Sequence, residues 1–141
     1  MKKILFVCSG NTCRSPMAEA ILRDLAEKKG LKLKVGSAGV YAEKSGEIAK
    51  NSVSALKQLG YRVPRKKPRQ LTEKMLEDYN LVLTMTPTHK RVIGGGKNVL
   101  TVAEFTGGLD VPDPYGLPPE AYLEVARQLE EHCKIIVDTL S

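Results

Sequence analysis

FVCSGNTCRSPMAEA, residues 6–20, sets a cysteine at the end of an apolar run and an arginine six positions later, with small or polar residues between them. The run Ile4-Leu5-Phe6-Val7 is continuous rather than alternating, which predicts a strand buried on both faces. Ser15 suits a helix N-cap and Pro16 the first helical position. Ile21, Leu22, Leu25 and Ala26 then share one helical face, and Gly30 marks a stop. Strand, tight loop and helix in that order are the opening of a parallel βαβ unit.

The rest of the chain repeats the alternation. Leu31, Leu33 and Val35 predict a second strand, Ser37 to Gly46 a loop, and Ile48 to Leu59 a helix closed by Gly60. Thr72 caps a short helix through Leu76, and Leu81-Val82-Leu83 is a third buried strand. Thr86-Pro87 opens another short helix that ends at Gly94-Gly95-Gly96. Val99 to Val102 forms a fourth strand, and Pro118-Pro119 starts a long terminal helix. Along that helix Tyr122, Leu123, Ala126, Leu129, Cys133, Ile136 and Val137 keep helical spacing. The expected fold is α/β: one domain over residues 1–141, with an open, twisted, four-stranded parallel sheet and helices on both faces. Ligands of such sheets sit beyond the carboxyl ends of the strands, where Cys8 falls.

Composition narrows the setting. The 141 residues are 42% hydrophobic and 27% charged, which fits a soluble globular protein. The apolar run at the N-terminus is too short for an export signal or a membrane span, so a cytoplasmic protein with no membrane partner is expected. Three cysteines make a disulfide framework improbable in favour of chemistry. The net charge of +6 is compatible with an anionic substrate. Aromatics are only 5% of the chain and no zinc-finger spacing is present, so no nucleic-acid partner is predicted. The densest basic stretch, RVPRKKPR at 62–69, reads as a solvated connection.

The loop itself has the composition of an anion site. Between Cys8 and Arg14, the backbone N–H groups of Ser9, Gly10, Asn11, Thr12 and Cys13 can curl inward as a nest. Gly10 and Asn11 tolerate left-handed backbone, the following helix adds its positive end, and Arg14 supplies a planar fork for two oxygens of a tetrahedral anion. The same positive field favours the thiolate of Cys8, and the Ser15 hydroxyl is placed to donate to that sulfur. A thiolate beneath a trapped oxyanion attacks its central atom, and phosphorus is the natural one. The leaving group then needs a proton. Asp113, stiffened between Pro112 and Pro114, is the candidate acid and later the base for the attacking water, with Asp110 as its competitor.

These stretches resemble the low-molecular-weight protein tyrosine phosphatase family nearly end to end. The resemblance rests on FVCSGNTCRSPMAEA, on Ser37-Ala38-Gly39, on Arg69-Gln70-Leu71-Thr72, on Leu81 to Thr86 and on Asp113-Pro114-Tyr115. It implies Cys8 as nucleophile, Arg14 as phosphate clamp and Asp113 as acid and base. It also implies that Asn11, Ser15 and Ser37 hold the loop in shape. Substrates are then phosphorylated proteins and inorganic phosphate is a product, with no cofactor.

Two positions depart from the tyrosine-specific pattern. Thr12 stands where those members commonly have isoleucine, and with SAGVYA at 37–42 it resembles the bacterial protein arginine phosphatase branch. A hydroxyl there can hydrogen-bond to the guanidinium beside a P–N bond, where isoleucine offers only bulk. Phosphoarginine is therefore the expected substrate class, with phosphotyrosine as the alternative. The second departure is Lys66, where many members carry a histidine that supports the loop; either the network differs here or the support is absent.

Tyr41 and Tyr115 are expected as pocket walls. Cys13 follows Cys8 by five residues and is a candidate to trap an oxidised Cys8 as a reversible disulfide. Cys133 and His132 read as packing residues, His89 as a surface residue, and no metal site is expected. Arsenate reductase uses a similar loop but needs further cysteines near residues 80–90, and none lies there. A non-catalytic phosphate-binding module is the remaining alternative.

Overall fold

The computed structural model describes residues 1–42 and 46–141. Its four strands are β1 (Lys2–Cys8), β2 (Leu33–Gly39), β3 (Leu81–Thr84) and β4 (Val99–Thr101). They run parallel in the order β2-β1-β3-β4, so β1 is central and its carboxyl end opens between β2 and β3. Ile4 to Val7 are fully buried because helices cover both faces of the sheet. On one face α1 (Arg14–Lys28), α2 (Lys50–Leu59) and α6 (Pro119–Leu140) enclose the larger core around Ile4, Phe6, Met17, Leu22, Leu56, Leu129 and Ile136. On the other, Leu5, Val7, Val82 and Val99 pack beneath α3 (Glu73–Asp78) and α4 (Pro87–Ile93).

The sequence expectation of an open four-stranded parallel α/β sheet holds, with local corrections. α1 starts at Arg14 with Cys13 at the cap, so Ser15 is not the N-cap. Its hydroxyl is engaged with Cys8 and Asn11 instead. The loop expected from Ser37 begins later, because β2 runs through Gly39 and pairs with β1 as far as Cys8; residues 43–45 of that loop lie outside the described residues. β4 ends at Thr101, and Val102 belongs to an unexpected helix, α5 (Val102–Thr106). Thr101 and Glu104 close a capping box there, each side chain bonded to the other's backbone N–H.

The segment between α5 and α6 carries Asp113, and α6 anchors its start. Gln128 donates to the carbonyls of Leu109 and Asp110, while His132 bridges Thr106 Oγ1 and the Leu109 carbonyl. His132 and Cys133 thus pack as the sequence suggested. Gly108 lies against the His132 ring, where a Cβ would come within 2.8 Å.

Candidate active site

Cys8 ends β1, and the loop that follows lies against the end of β2. A Cβ at Gly39 would lie 2.6 Å from the Ser9 carbonyl and 2.9 Å from the Asn11 nitrogen, so glycine at that position lets the loop lie against the strand. Tyr41 N–H fixes the Ser9 carbonyl from the same side at 2.9 Å. Asn11 takes the left-handed conformation at φ +58° and turns its amide side chain into the protein.

From Asn11 a buried hydrogen-bond chain runs to the thiol. Asn11 Nδ2 donates to Ser15 Oγ at 2.7 Å and to Ser37 Oγ at 3.0 Å, and its Oδ1 accepts from Arg69 N–H at 2.9 Å. With a lone pair of Ser15 occupied by that amide, its hydroxyl proton is free to point at Cys8 Sγ, 2.9 Å away. A thiolate is the form of sulfur that such a donor stabilises.

Ser37 is held in the same manner. Its Oγ accepts from Lys66 Nζ at 2.7 Å and donates to Glu19 Oε1 at 2.5 Å. Lys66 also contacts Glu19 at 2.9 Å, and Arg23 binds the second Glu19 oxygen at 2.6 Å. Burial draws the Lys66 amine below its ordinary range while the Glu19 carboxylate opposes that. No buried polar side-chain atom among the described residues is left without a partner. Lys66 therefore does join the loop support, as an ammonium paired to a buried carboxylate. Glu19 was missed by the sequence reading, although it lies one helical turn beyond Ser15.

Above the loop, Arg14 Nη1 donates to the Val111 carbonyl at 3.0 Å, and Nη2 stands 3.8 Å from Asp113 Oδ2. Asp113 Oδ1 accepts from Tyr115 N–H at 3.0 Å, a local turn that aims the carboxyl at the loop. Cys8, Ser9, Thr12, Arg14, Tyr41, Asp113 and Tyr115 line one cavity of about 500 Å³, together with Gly10, Cys13, Glu47 and Tyr122. Asp110 is not among them; it borders a separate cavity beside α4. Cys13 is buried against Tyr122, and desolvation pushes its thiol up. Among the described residues no cluster of metal-ligating side chains is present and no helix is long and apolar enough to cross a membrane.

His89 corrects the expectation of a surface residue. It is 4% exposed, with Nε2 at 2.9 Å from Ser9 Oγ and Nδ1 at 3.1 Å from Thr86 Oγ1. Burial, and then the charge of Arg14, lowers its pKa to about 4.

A thiol at the base of a helix-capped anion loop, an arginine above it and a carboxyl group over both define the phosphatase class of parallel α/β proteins. Comparison with known proteins gives the family. A family model described as low molecular weight phosphotyrosine protein phosphatase matches residues 3–141. A protein-arginine-phosphatase of Bacillus subtilis is 41% identical over 135 residues, 91% of this chain and 89% of its own length. The low molecular weight protein-tyrosine-phosphatase YfkJ of the same organism is 39% identical over 82% of this chain and 81% of its own. Among solved structures, a YwlE arginine phosphatase in which serine replaces the active-site cysteine and is phosphorylated superposes with a TM-score of 0.92. It is 38% identical and covers 98% of this chain and 95% of its own. The chain belongs to the low molecular weight phosphotyrosine protein phosphatase family.

Proposed function

We propose that this chain hydrolyses phosphoarginine in proteins through a phosphocysteine intermediate, with Cys8, Arg14 and Asp113 as its reacting groups. The observation that carries the reading is the Ser15 hydroxyl 2.9 Å from Cys8 Sγ, at the base of a cavity that Arg14 and Asp113 share. The guanidinium of Arg14 and the amides of Ser9 through Ser15 hold the phosphoryl oxygens. The Cys8 thiolate attacks phosphorus, a P–S bond forms, and the P–N bond breaks as the Asp113 carboxyl protonates the departing nitrogen. Asp113, now a carboxylate, takes a proton from the water that attacks the phosphocysteine. Inorganic phosphate leaves and the thiolate returns. Without substrate Asp113 faces Arg14 at 3.8 Å; a bound dianion takes over that guanidinium and leaves the Asp113 carboxyl to the departing nitrogen.

Thr12 supports arginine as the phosphorylated residue. Thr12 lines the cavity, and among the described residues its hydroxyl has one contact, 3.6 Å to Cys13 Sγ, which leaves it available to a polar leaving group. The 41% identity to a protein-arginine-phosphatase agrees. Phosphotyrosine remains the second reading, favoured by Tyr41 and Tyr115, two exposed aromatic walls suited to a phenyl ring. Purified protein assayed on phosphoarginine and phosphotyrosine proteins in parallel decides between them. A higher kcat/KM on phosphoarginine is expected; equal or higher efficiency on phosphotyrosine removes the arginine assignment. Cys8→Ser should abolish turnover of both substrates and of p-nitrophenyl phosphate. Retained turnover removes the phosphocysteine.

Residues 1–141 act in this reading as one catalytic unit in the cytoplasm, where a reducing setting suits three unpaired thiols. Cys13 borders the same cavity as Cys8. Peroxide oxidation of Cys8 to the sulfenic acid, then condensation with the Cys13 thiol and loss of water, gives a reversible protective disulfide.

A further inference from the structure

We propose that His89 is a positioning residue of the phosphate pocket, which fixes the Ser9 hydroxyl with its proton turned toward the bound phosphoryl group. This deepens the reading of the loop as a phosphate site and rests on it. Ser9 follows the nucleophile and lines the same cavity as Cys8 and Arg14. Its backbone is already held, since Tyr41 N–H binds its carbonyl and Gly39 lies against that oxygen. What is left to set is the direction of its O–H. The partner that sets it comes from the first turn of α4: His89 Nε2, 2.9 Å from Ser9 Oγ.

The neutral imidazole carries one proton, and its location decides what Ser9 can do. With the proton on Nδ1, His89 donates to Thr86 and accepts from Ser9. The Ser9 proton is then consumed and its lone pairs face the incoming dianion. With the proton on Nε2, His89 donates to Ser9 Oγ, Thr86 donates to Nδ1, and the Ser9 proton is released to the cavity. Thr86 is free to donate in this way: it is the N-cap of α4 but makes no side-chain capping bond, and its hydroxyl lies 3.1 Å from Nδ1. A tetrahedral dianion beside Ser9 favours the second arrangement, because only that one turns a donor toward negative charge. Burial and the nearby Arg14 keep the ring neutral, so His89 supplies a directed donor rather than a second positive charge. The result is a relay of three donors, Thr86 to His89 to Ser9, ending at a phosphoryl oxygen.

The test compares wild type, Ser9→Ala, His89→Ala, His89→Gln and the Ser9→Ala/His89→Ala double variant, reading kcat and KM on p-nitrophenyl phosphate and inhibition by inorganic phosphate. A hydrogen bond to a charged group leads us to expect Ser9→Ala to weaken phosphate inhibition and raise KM about tenfold. His89→Ala should match that loss, and the double variant should be no worse than either single. Gln places an N–H near the Nε2 position, so His89→Gln should recover most of the affinity. Nitrogen-15 NMR of histidine-labelled wild type with inorganic phosphate bound reads the tautomer directly, independent of whether a variant folds, and should find the proton on Nε2. A proton on Nδ1 in that complex overturns the proposal. So does unchanged phosphate inhibition in Ser9→Ala, or additive losses in the double variant. A wild type that neither turns over p-nitrophenyl phosphate nor binds phosphate brings down the underlying phosphatase reading, and the relay with it.

Discussion

Beneath the loop from Cys8 to Ser15, the side chains of Asn11, Ser15, Ser37 and Glu19 are buried and bonded to one another, whereas above it Tyr41 and Tyr115 stand 73% and 78% exposed. The lower side is a closed hydrogen-bond network, so the thiol is held before any substrate arrives. The upper side is a rim whose side chains make few contacts and can vary without disturbing the fold. In the proposed mechanism, nucleophile placement belongs to the buried side and substrate choice to the open one. Asp113, half exposed and tied to Arg14 and to its own turn, belongs to the rim in position and to the machinery in its proposed role.

Asp113 is where that division is most easily broken. Asp113→Asn keeps size and the local turn but removes the transferable proton. We expect kcat on phosphoarginine and phosphotyrosine proteins to fall by about a thousandfold, as loss of general acid–base catalysis does. Alkylation of Cys8, which depends on the buried network, should proceed as in wild type. If kcat is preserved while alkylation slows, Asp113 supports the thiol and the division between the two sides is wrong.

Lys66→Met tests the lower side. It leaves Glu19 buried with Arg23 as its remaining ionic partner and removes the Lys66 hydrogen bonds to the carbonyl and hydroxyl of Ser37. Breaking one half of a buried pair should cost about 3 kcal/mol in denaturant unfolding. Adding Glu19→Gln should return part of it, since the stranded charge is then gone. A stability unchanged by Lys66→Met would place the support of the loop elsewhere.

The contrast between the two sides also explains what the sequence could tell. Cys8 through Ser15 was legible because a single loop carries the thiol, the amides and the arginine in one continuous stretch. Its supports come from distant segments. Lys66 and Ser37 meet Glu19 only because α1 packs on β2, and His89 reaches Ser9 only because β3 lies beside β1. Some of this was within reach. Glu19 follows Ser15 by four positions on α1, hence on the same helical face. Thr101 and Glu104 spell the capping box of α5. His89 gave no such signal, because a histidine in the first turn of a short helix is buried or exposed according to which strand ends lie beside it.

That buried histidine makes the fold sensitive to acid. Its folded pKa of about 4 lies below the unfolded value near 6.5, so the unfolded chain binds the proton first. The contribution to stability is whole above about pH 6.5 and declines as pH falls toward 4, by at most about 3 kcal/mol. Arg14 opposes protonation and Asp113 favours it. His89→Gln, which does not titrate, should flatten urea midpoints between pH 6.5 and 4 relative to wild type. Parallel profiles for the two proteins would mean that the folded and unfolded chains take up the His89 proton equally.

The smallest effect expected belongs to the rim, at Thr12→Ile. Both side chains are β-branched, and the main-chain bond from Ala49 N–H to the Thr12 carbonyl, 2.9 Å, is untouched, so the loop should keep its shape. What changes is one hydroxyl, held among the described residues by its 3.6 Å contact to Cys13, exchanged for a larger apolar end. A phosphoarginine guanidinium loses an acceptor beside the P–N bond, while a phenyl ring gains surface. The ratio of kcat/KM on phosphoarginine to that on phosphotyrosine should therefore fall about tenfold, with turnover of p-nitrophenyl phosphate held or raised. If both efficiencies drop together, Thr12 belongs to the buried machinery instead, and selection of the leaving group must be sought at Tyr41 and Tyr115.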